Sequence, residues 1–85
     1  MKNILVDKTF VPVAEVVGCI PSVRLTGKSS VEIINHKGLK SFDDKQIAII
    51  TMVGLLLVEG FGLEITGISR ECIRIQGDMR RIFYQ

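Results

Sequence analysis

Residues 46–77 read QIAIITMVGLLLVEGFGLEITGISRECIRIQG, short apolar runs interrupted by glycines. The glycines are too closely spaced for ordinary helices, so the stretch reads as three or four β-strands in series. An apolar–polar–glycine signature closes successive runs at Val58-Glu59-Gly60, Ile65-Thr66-Gly67 and Ile75-Gln76-Gly77, with a fourth copy upstream at Leu25-Thr26-Gly27. Glycine takes positive φ at little steric cost, which suits it to the turn where one strand hands over to the next. Steps of seven and ten residues between these glycines are hairpin spacings, too short for a crossover helix between parallel strands. An antiparallel meander is the expectation.

Working outward from that stretch, Ser22–Thr26 and Ser30–Ile34 each alternate apolar and polar residues with period two. Gly27-Lys28-Ser29 joins them as a hairpin. Asn35-His36-Lys37-Gly38 is read as the next turn, followed by a short strand over Leu39–Phe42 and a charged turn at Asp43-Asp44-Lys45. Ser41 followed by Asp44 also resembles a capping box and offers a helix over residues 43–52. The β-branched Ile47, Ile49, Ile50 and Val53 favour a strand instead. A turn at Met52-Val53-Gly54 then separates Gln46–Thr51 from Leu55–Glu59, and further strands follow over Gly62–Thr66, Glu71–Gln76 and Arg80–Gln85. The fold class is therefore all-β, a small antiparallel meander of seven or eight short strands forming a sandwich or roll. Its turn glycines are Gly27, Gly38, Gly54, Gly60, Gly67 and Gly77.

The chain has 85 residues, read as an amino-terminal arm over 1–20 and one β domain over 21–85. In the arm, Pro12 interrupts any long helix, while a short strand or helix near Val13–Val17 is compatible with the pattern. Hydrophobic residues make up 47% of a chain this small, more than one side of a single sheet can hide, so self-association or strand addition to a partner is expected. The longest apolar run, Ile47–Val58, falls short of the roughly 20 residues of a membrane-spanning helix. Val16-Val17-Gly18-Cys19 looks like a lipoprotein cleavage box, but Asp7, Lys8 and Glu15 interrupt the apolar core such a signal requires.

Charge narrows the function classes. A net charge of +2, with basic and acidic residues interspersed, lacks the electrostatic footprint of a nucleic-acid binder. Cys19 and Cys72 have no CxxC spacing and, with one histidine, supply too few soft ligands for structural zinc; they read as reduced thiols, and no cofactor or metal is expected. His36 is the one side chain whose ordinary titration lies near neutrality, yet no serine, cysteine or carboxylate is placed by sequence to form a relay with it. Asp43-Asp44 reads as a solvated turn. Arg70, Arg74, Arg80 and Arg81 form the one basic concentration, near Phe83 and Tyr84, and alternation puts Arg74 and Arg81 on the outer face. No catalytic residue is assigned; the candidate interaction residues are Arg74, Arg80, Arg81, Asn35, His36 and Lys37.

A linear pattern over residues 21–85 runs Pro21-x-x-x-x-Thr26-Gly27, then Val31-Glu32-Ile33-Ile34-Asn35-His36-Lys37-Gly38, then Phe42-Asp43. It continues through Gly54-x-Leu56-x-Val58-x-Gly60-x-x-Leu63-x-Ile65 and ends in Ile73-x-Ile75-x-Gly77-x-x-x-x-Ile82-x-Tyr84. In that order and spacing it resembles the YabP/YqfC family of sporulation proteins of spore-forming Firmicutes, the YqfC branch in particular. The resemblance implies a non-enzymatic protein of the mother-cell cytoplasm, needed for endospore development, with a membrane protein encoded beside it as partner and a location peripheral to the membrane through that partner. The alternative expectation is a small binding module that holds an anionic ligand or lipid headgroups on the arginine face or the Asn35–Gly38 turn.

Overall fold

The computed structural model describes residues 20–85; the readings made for the arm, at Val13–Val17 and Cys19 among others, lie outside the described residues. Six strands follow in chain order: β1 (Ser22–Thr26), β2 (Ser30–Ile34), β3 (His36–Phe42), β4 (Gln46–Thr51), β5 (Gly54–Ile68) and β6 (Cys72–Tyr84). Every pairing is antiparallel, in one sheet of order β1-β2-β6-β5-β4-β3. The fold is all-β, as the glycine spacing predicts, and residues 43–52 form a turn and strand rather than a helix.

Two strands do the work of four. The segments read separately as Leu55–Glu59 and Gly62–Thr66 are continuous in β5, and Glu71–Gln76 and Arg80–Gln85 are continuous in β6. Gly60, Gly67 and Gly77, read as turn residues, lie inside these strands, and Gly38 lies inside β3. The physical reason is that a glycine serves a bulge or a close backbone approach as well as it serves a turn. Register shifts interrupt the β5–β6 ladder between Glu59 and Gly60, between Phe61 and Glu64, and between Ile65 and Gly67. At Gly60 a Cβ would drive into the Asp78 carbonyl, 3.0 Å from its carbon and 3.2 Å from Met79 Cα. At Gly77, with φ +145°, it would meet Gly62 O at 2.8 Å and Leu63 Cα at 2.9 Å. Here the hairpin bends.

Both peripheral hairpin tips tuck against that corner. Lys28 O and Ser29 O, in the β1–β2 turn, accept from Met79 N and Gly77 N; Asp44 O and Lys45 O, in the β3–β4 turn, accept from Leu63 N and Gly60 N. The bend brings the same face of both halves onto one core. It joins Val31 and Ile33 of β2, Ile47 and Ile49 of β4, Leu56, Val58 and Leu63 of β5, and Ile73, Ile75 and Met79 of β6. The cross-strand pairs Val31–Ile75, Ile33–Ile73 and Ile47–Val58 lie within it. Each isoleucine buried there is worth about 1.5–3 kcal/mol relative to an exposed one.

β2 passes to β3 through Asn35, the one non-glycine described residue at positive φ (67°). Its amide N donates to Glu71 O and its Nδ2 to Ile20 O at 3.1 Å. Asparagine is among the residues that tolerate this conformation best. As a result β2 pairs with β6 instead of β3, and only β3–β6 follow one another as a meander.

Candidate interaction surfaces

On the outer face of the β1-β2-β6 half, register sets Arg24, Glu32 and Arg74 in one row across three strands. Glu32 Oε2 accepts from Arg74 Nη2 at 3.0 Å, and Arg24 Nη1 lies 3.8 Å from Oε1. The Cys72 thiol also donates to Glu32 Oε2, at 3.5 Å. The bond from Arg74, and then that from Cys72, hold the Glu32 carboxyl below its ordinary range. Burial, reinforced by the neighbouring Glu32, pushes the Cys72 thiol up, which keeps it protonated and unreactive at neutral pH.

The other half repeats the device. Arg81 stands opposite Glu59 in register, with Nη1 3.4 Å from Oε1, and its guanidinium lies 4.4 Å above the Phe83 ring. Gln46 Nε2 donates to the other oxygen of Glu59 at 2.8 Å. Arg80 is the extra residue of a bulge, since Glu59 pairs with Arg81 and Gly60 with Met79. It bonds Asp78 Oδ2 at 2.8 Å and lies 5.4 Å from the Phe61 ring centre. That bond lowers the Asp78 carboxyl and raises Arg80. Each of the three arginines singled out from sequence is thus held by a carboxylate of its own sheet. Arg70 lies exposed in the β5–β6 turn, away from that row.

The Asn35–Lys37 group divides. Asn35 is the crossing residue described above. His36 opens β3, and its Nε2 donates to Ser69 O at 2.8 Å, which puts the ring proton on Nε2 and leaves Nδ1 buried without a partner. It ties β3 to the β5–β6 turn. Lys37 is exposed, and register shifts leave Lys37 and Lys40 as the unpaired residues of β3, an outer strand. Bulged, lysine-bearing edges resist pairing with another chain. Asp43 Oδ1 accepts from Lys45 N at 2.7 Å and Gln46 N at 2.8 Å, in that order the cause of its lowered carboxyl, so this acid shapes a turn.

Apolar side chains remain outside. Phe42, Ile50, Met52, Val53, Phe61, Ile68 and Leu25 are all at least 42% exposed. Leu25 stands beside core Val31 in register and is still 51% exposed. Two lateral grooves open where the halves separate. The larger, about 630 Å³, lies between the β3–β4 turn and the second half of β5, lined by Phe42, Asp43, Asp44, Glu64 and Thr66 over Leu63. The smaller, about 130 Å³, lies between β1 and the second half of β6, lined by Leu25, Lys28, Arg80, Arg81 and Ile82 over Met79. Sequence reading missed both grooves, because each is formed by residues far apart in the chain; the exposed Phe42 beside Asp43-Asp44 was the available signal.

Among the described residues no group of three or more His, Cys, Asp and Glu is placed to hold a metal ion, and no helix is long and apolar enough to cross a membrane. What the surface offers is a small β domain with cross-strand ion pairs, apolar protrusions and free strand edges. The model of the YabP family matches residues 20–85, and the chain belongs to that family. Membership is consistent with a sporulation-related protein. No curated protein matches the sequence.

Proposed function

We propose that this protein is a non-enzymatic structural or assembly factor of endospore formation, acting in the mother cell through protein contacts of its strand edges and exposed apolar side chains. Family membership supports the process, and one structural observation supports the mode. The arginines of the outer faces are held by carboxylates of the same sheet, whereas Phe42, Ile68 and Leu25 stand in solvent on strands with an unpaired edge, with Phe61 exposed as well. Exposed apolar surface of this kind is the usual mark of an interface. The reading as an anionic-ligand module has less support, since Arg74, Arg80 and Arg81 already hold carboxylates. A membrane protein encoded beside it, as in the YqfC branch, is the partner we propose, and it would place this chain at a membrane surface.

In-frame deletion in the native host, scored as heat-resistant spores, tests the process: spore yield falls, and wild-type yield overturns the reading. Co-expression with the neighbouring membrane protein, detergent extraction and capture through a tag on this chain tests the mode. A stoichiometric complex is expected; its absence removes the partner.

A further inference from the structure

We infer that copies of this chain associate head to tail, the acidic groove of one receiving the basic groove of the next. The inference rests on the assembly-factor reading and specifies its geometry. The two grooves occupy equivalent places on opposite sides of the bent hairpin and carry opposite charge. The larger brings together three carboxylates, Asp43, Asp44 and Glu64. The smaller brings together three cations, Lys28, Arg80 and Arg81. Part of the positive charge is answered within the chain, by Asp78 and Glu59. Asp44, Glu64 and Lys28 make no ion pair among the described residues, so they are the charges left for a neighbour.

Each groove also has an apolar anchor and an open backbone. Phe42 is 65% exposed at the acidic groove and Leu25 51% at the basic one. Beside the acidic groove, Glu64–Ile68 of β5 pairs with β6 on one side only, because β4 pairs no further than Glu59. Beside the basic groove, Arg80–Tyr84 of β6 pairs with β5 on one side only, because β2 pairs no further than Gln76. The first free edge lies on the β4 side of the sheet and the second on the β2 side. Joining them is therefore a contact between unlike surfaces, with strand edges, opposite charges and an apolar side chain from each copy. A heterologous contact of this kind closes into a ring or continues as an open series, and does not stop at a symmetric pair. Other pairings of edges are opposed: β1 against itself centres Arg24 on Arg24, and β3 is blunted by its bulged lysines.

The test uses the full chain in analytical ultracentrifugation with two groove variants, each first shown by circular dichroism to keep its β signal and cooperative melt. Asp44→Lys with Glu64→Lys reverses the acidic groove; Lys28→Glu with Arg80→Gln neutralises the basic one. The wild type is expected to exceed dimer mass as concentration rises from micromolar to millimolar, and to dissociate at molar salt. Each variant alone is expected to be a monomer. Mixed in equal amounts, the two retain one intact groove apiece and are expected to form a dimer that grows no further. A wild type that is monomeric throughout, one that plateaus as a dimer, or groove variants that assemble like wild type would overturn the inference. A monomeric wild type that still captures its membrane partner would overturn head-to-tail assembly while leaving the assembly-factor reading in place.

Discussion

Replacing Gly60 with alanine adds one methyl group where β5 and β6 come closest. The new Cβ would sit deep inside contact distance of the Asp78 carbonyl oxygen, 3.0 Å from Asp78 C and 3.2 Å from Met79 Cα. All three obstacles are backbone of the facing strand, so no side chain can rotate away, and the strands must part by roughly an ångström, a displacement that close-packed interiors resist. Overpacking of this kind costs about 1–3 kcal/mol, and the ladder bonds that stretch beside the bend add about 1 kcal/mol. A domain of this size has about 3–10 kcal/mol of stability in all. The loss of about 2–4 kcal/mol therefore lowers the thermal midpoint by about 8–32 °C, at about 4–8 °C per kcal/mol. Gly27→Ala is the control: its φ is +57°, and nothing lies within 4 Å of an added Cβ. Its loss is the conformational one, about 1–2 kcal/mol. Thermal melts of the two variants followed at 218 nm are the assay. A Gly60→Ala midpoint within a few degrees of wild type, or above that of Gly27→Ala, would refute the view that the corner depends on backbone contact.

At the crossing, Asn35→Gly is expected to stay within about 1 kcal/mol of wild type and Asn35→Val to lose about 1–3 kcal/mol in urea titrations, because a β-branched side chain opposes positive φ. In the core, Ile73→Ala is expected to lose about 2–5 kcal/mol in the same titrations, since the side chain has no exposure and neighbours on two strands. Glu32, Asp43 and Asp78 all have carboxyls held below their ordinary values, by Arg74, Lys45 N and Arg80 respectively as the first cause. A lowered carboxyl stabilises the fold above its unfolded value and stops doing so as pH falls through its folded value, so thermal midpoints are expected to hold from pH 7 to about 5 and fall below about 4. A midpoint that rises over the acid range would reverse that sign. Glu32→Gln removes the charge that disfavours a Cys72 thiolate and leaves at most a neutral amide acceptor, so alkylation of Cys72 in a Cys19→Ser background is expected to quicken several-fold at pH 8, while burial still holds it slower than a free thiol.

Local pattern was enough for strands whose partners are adjacent in the chain. The bounds of β1, β2 and β4 follow from period-two alternation and from the turns between them, and the burial of Ile73 and Ile75 against exposed Arg74 follows from the same alternation. The long strands were divided because a glycine looks the same in sequence whether it turns the chain or lets a second strand approach. Only the Asp78 carbonyl lying against Gly60 separates the two cases. The arginines were placed on outer faces by alternation, but their partners Glu32, Glu59 and Asp78 depend on cross-strand register or on a bulge, which a single strand's pattern does not carry. Asn35 belongs to the same class of miss: it resembles the start of an ordinary turn, and its role as the link from β2 to a strand on the far side of the sheet appears only once β2 is seen beside β6.

The place of β6 bears on how the chain is made. Of the six described strands it is made last, yet it runs through both halves, and without it β2 has only exposed β1 for company. Until synthesis passes residue 76, Val31 and Ile33 have no Ile75 and Ile73 to cover them, although β3, β4 and the first half of β5 can already pair among themselves. The nascent protein thus holds two unfinished hairpin systems that the 13-residue β6 unites. Truncation anywhere within Cys72–Tyr84 removes part of the wall that both halves share.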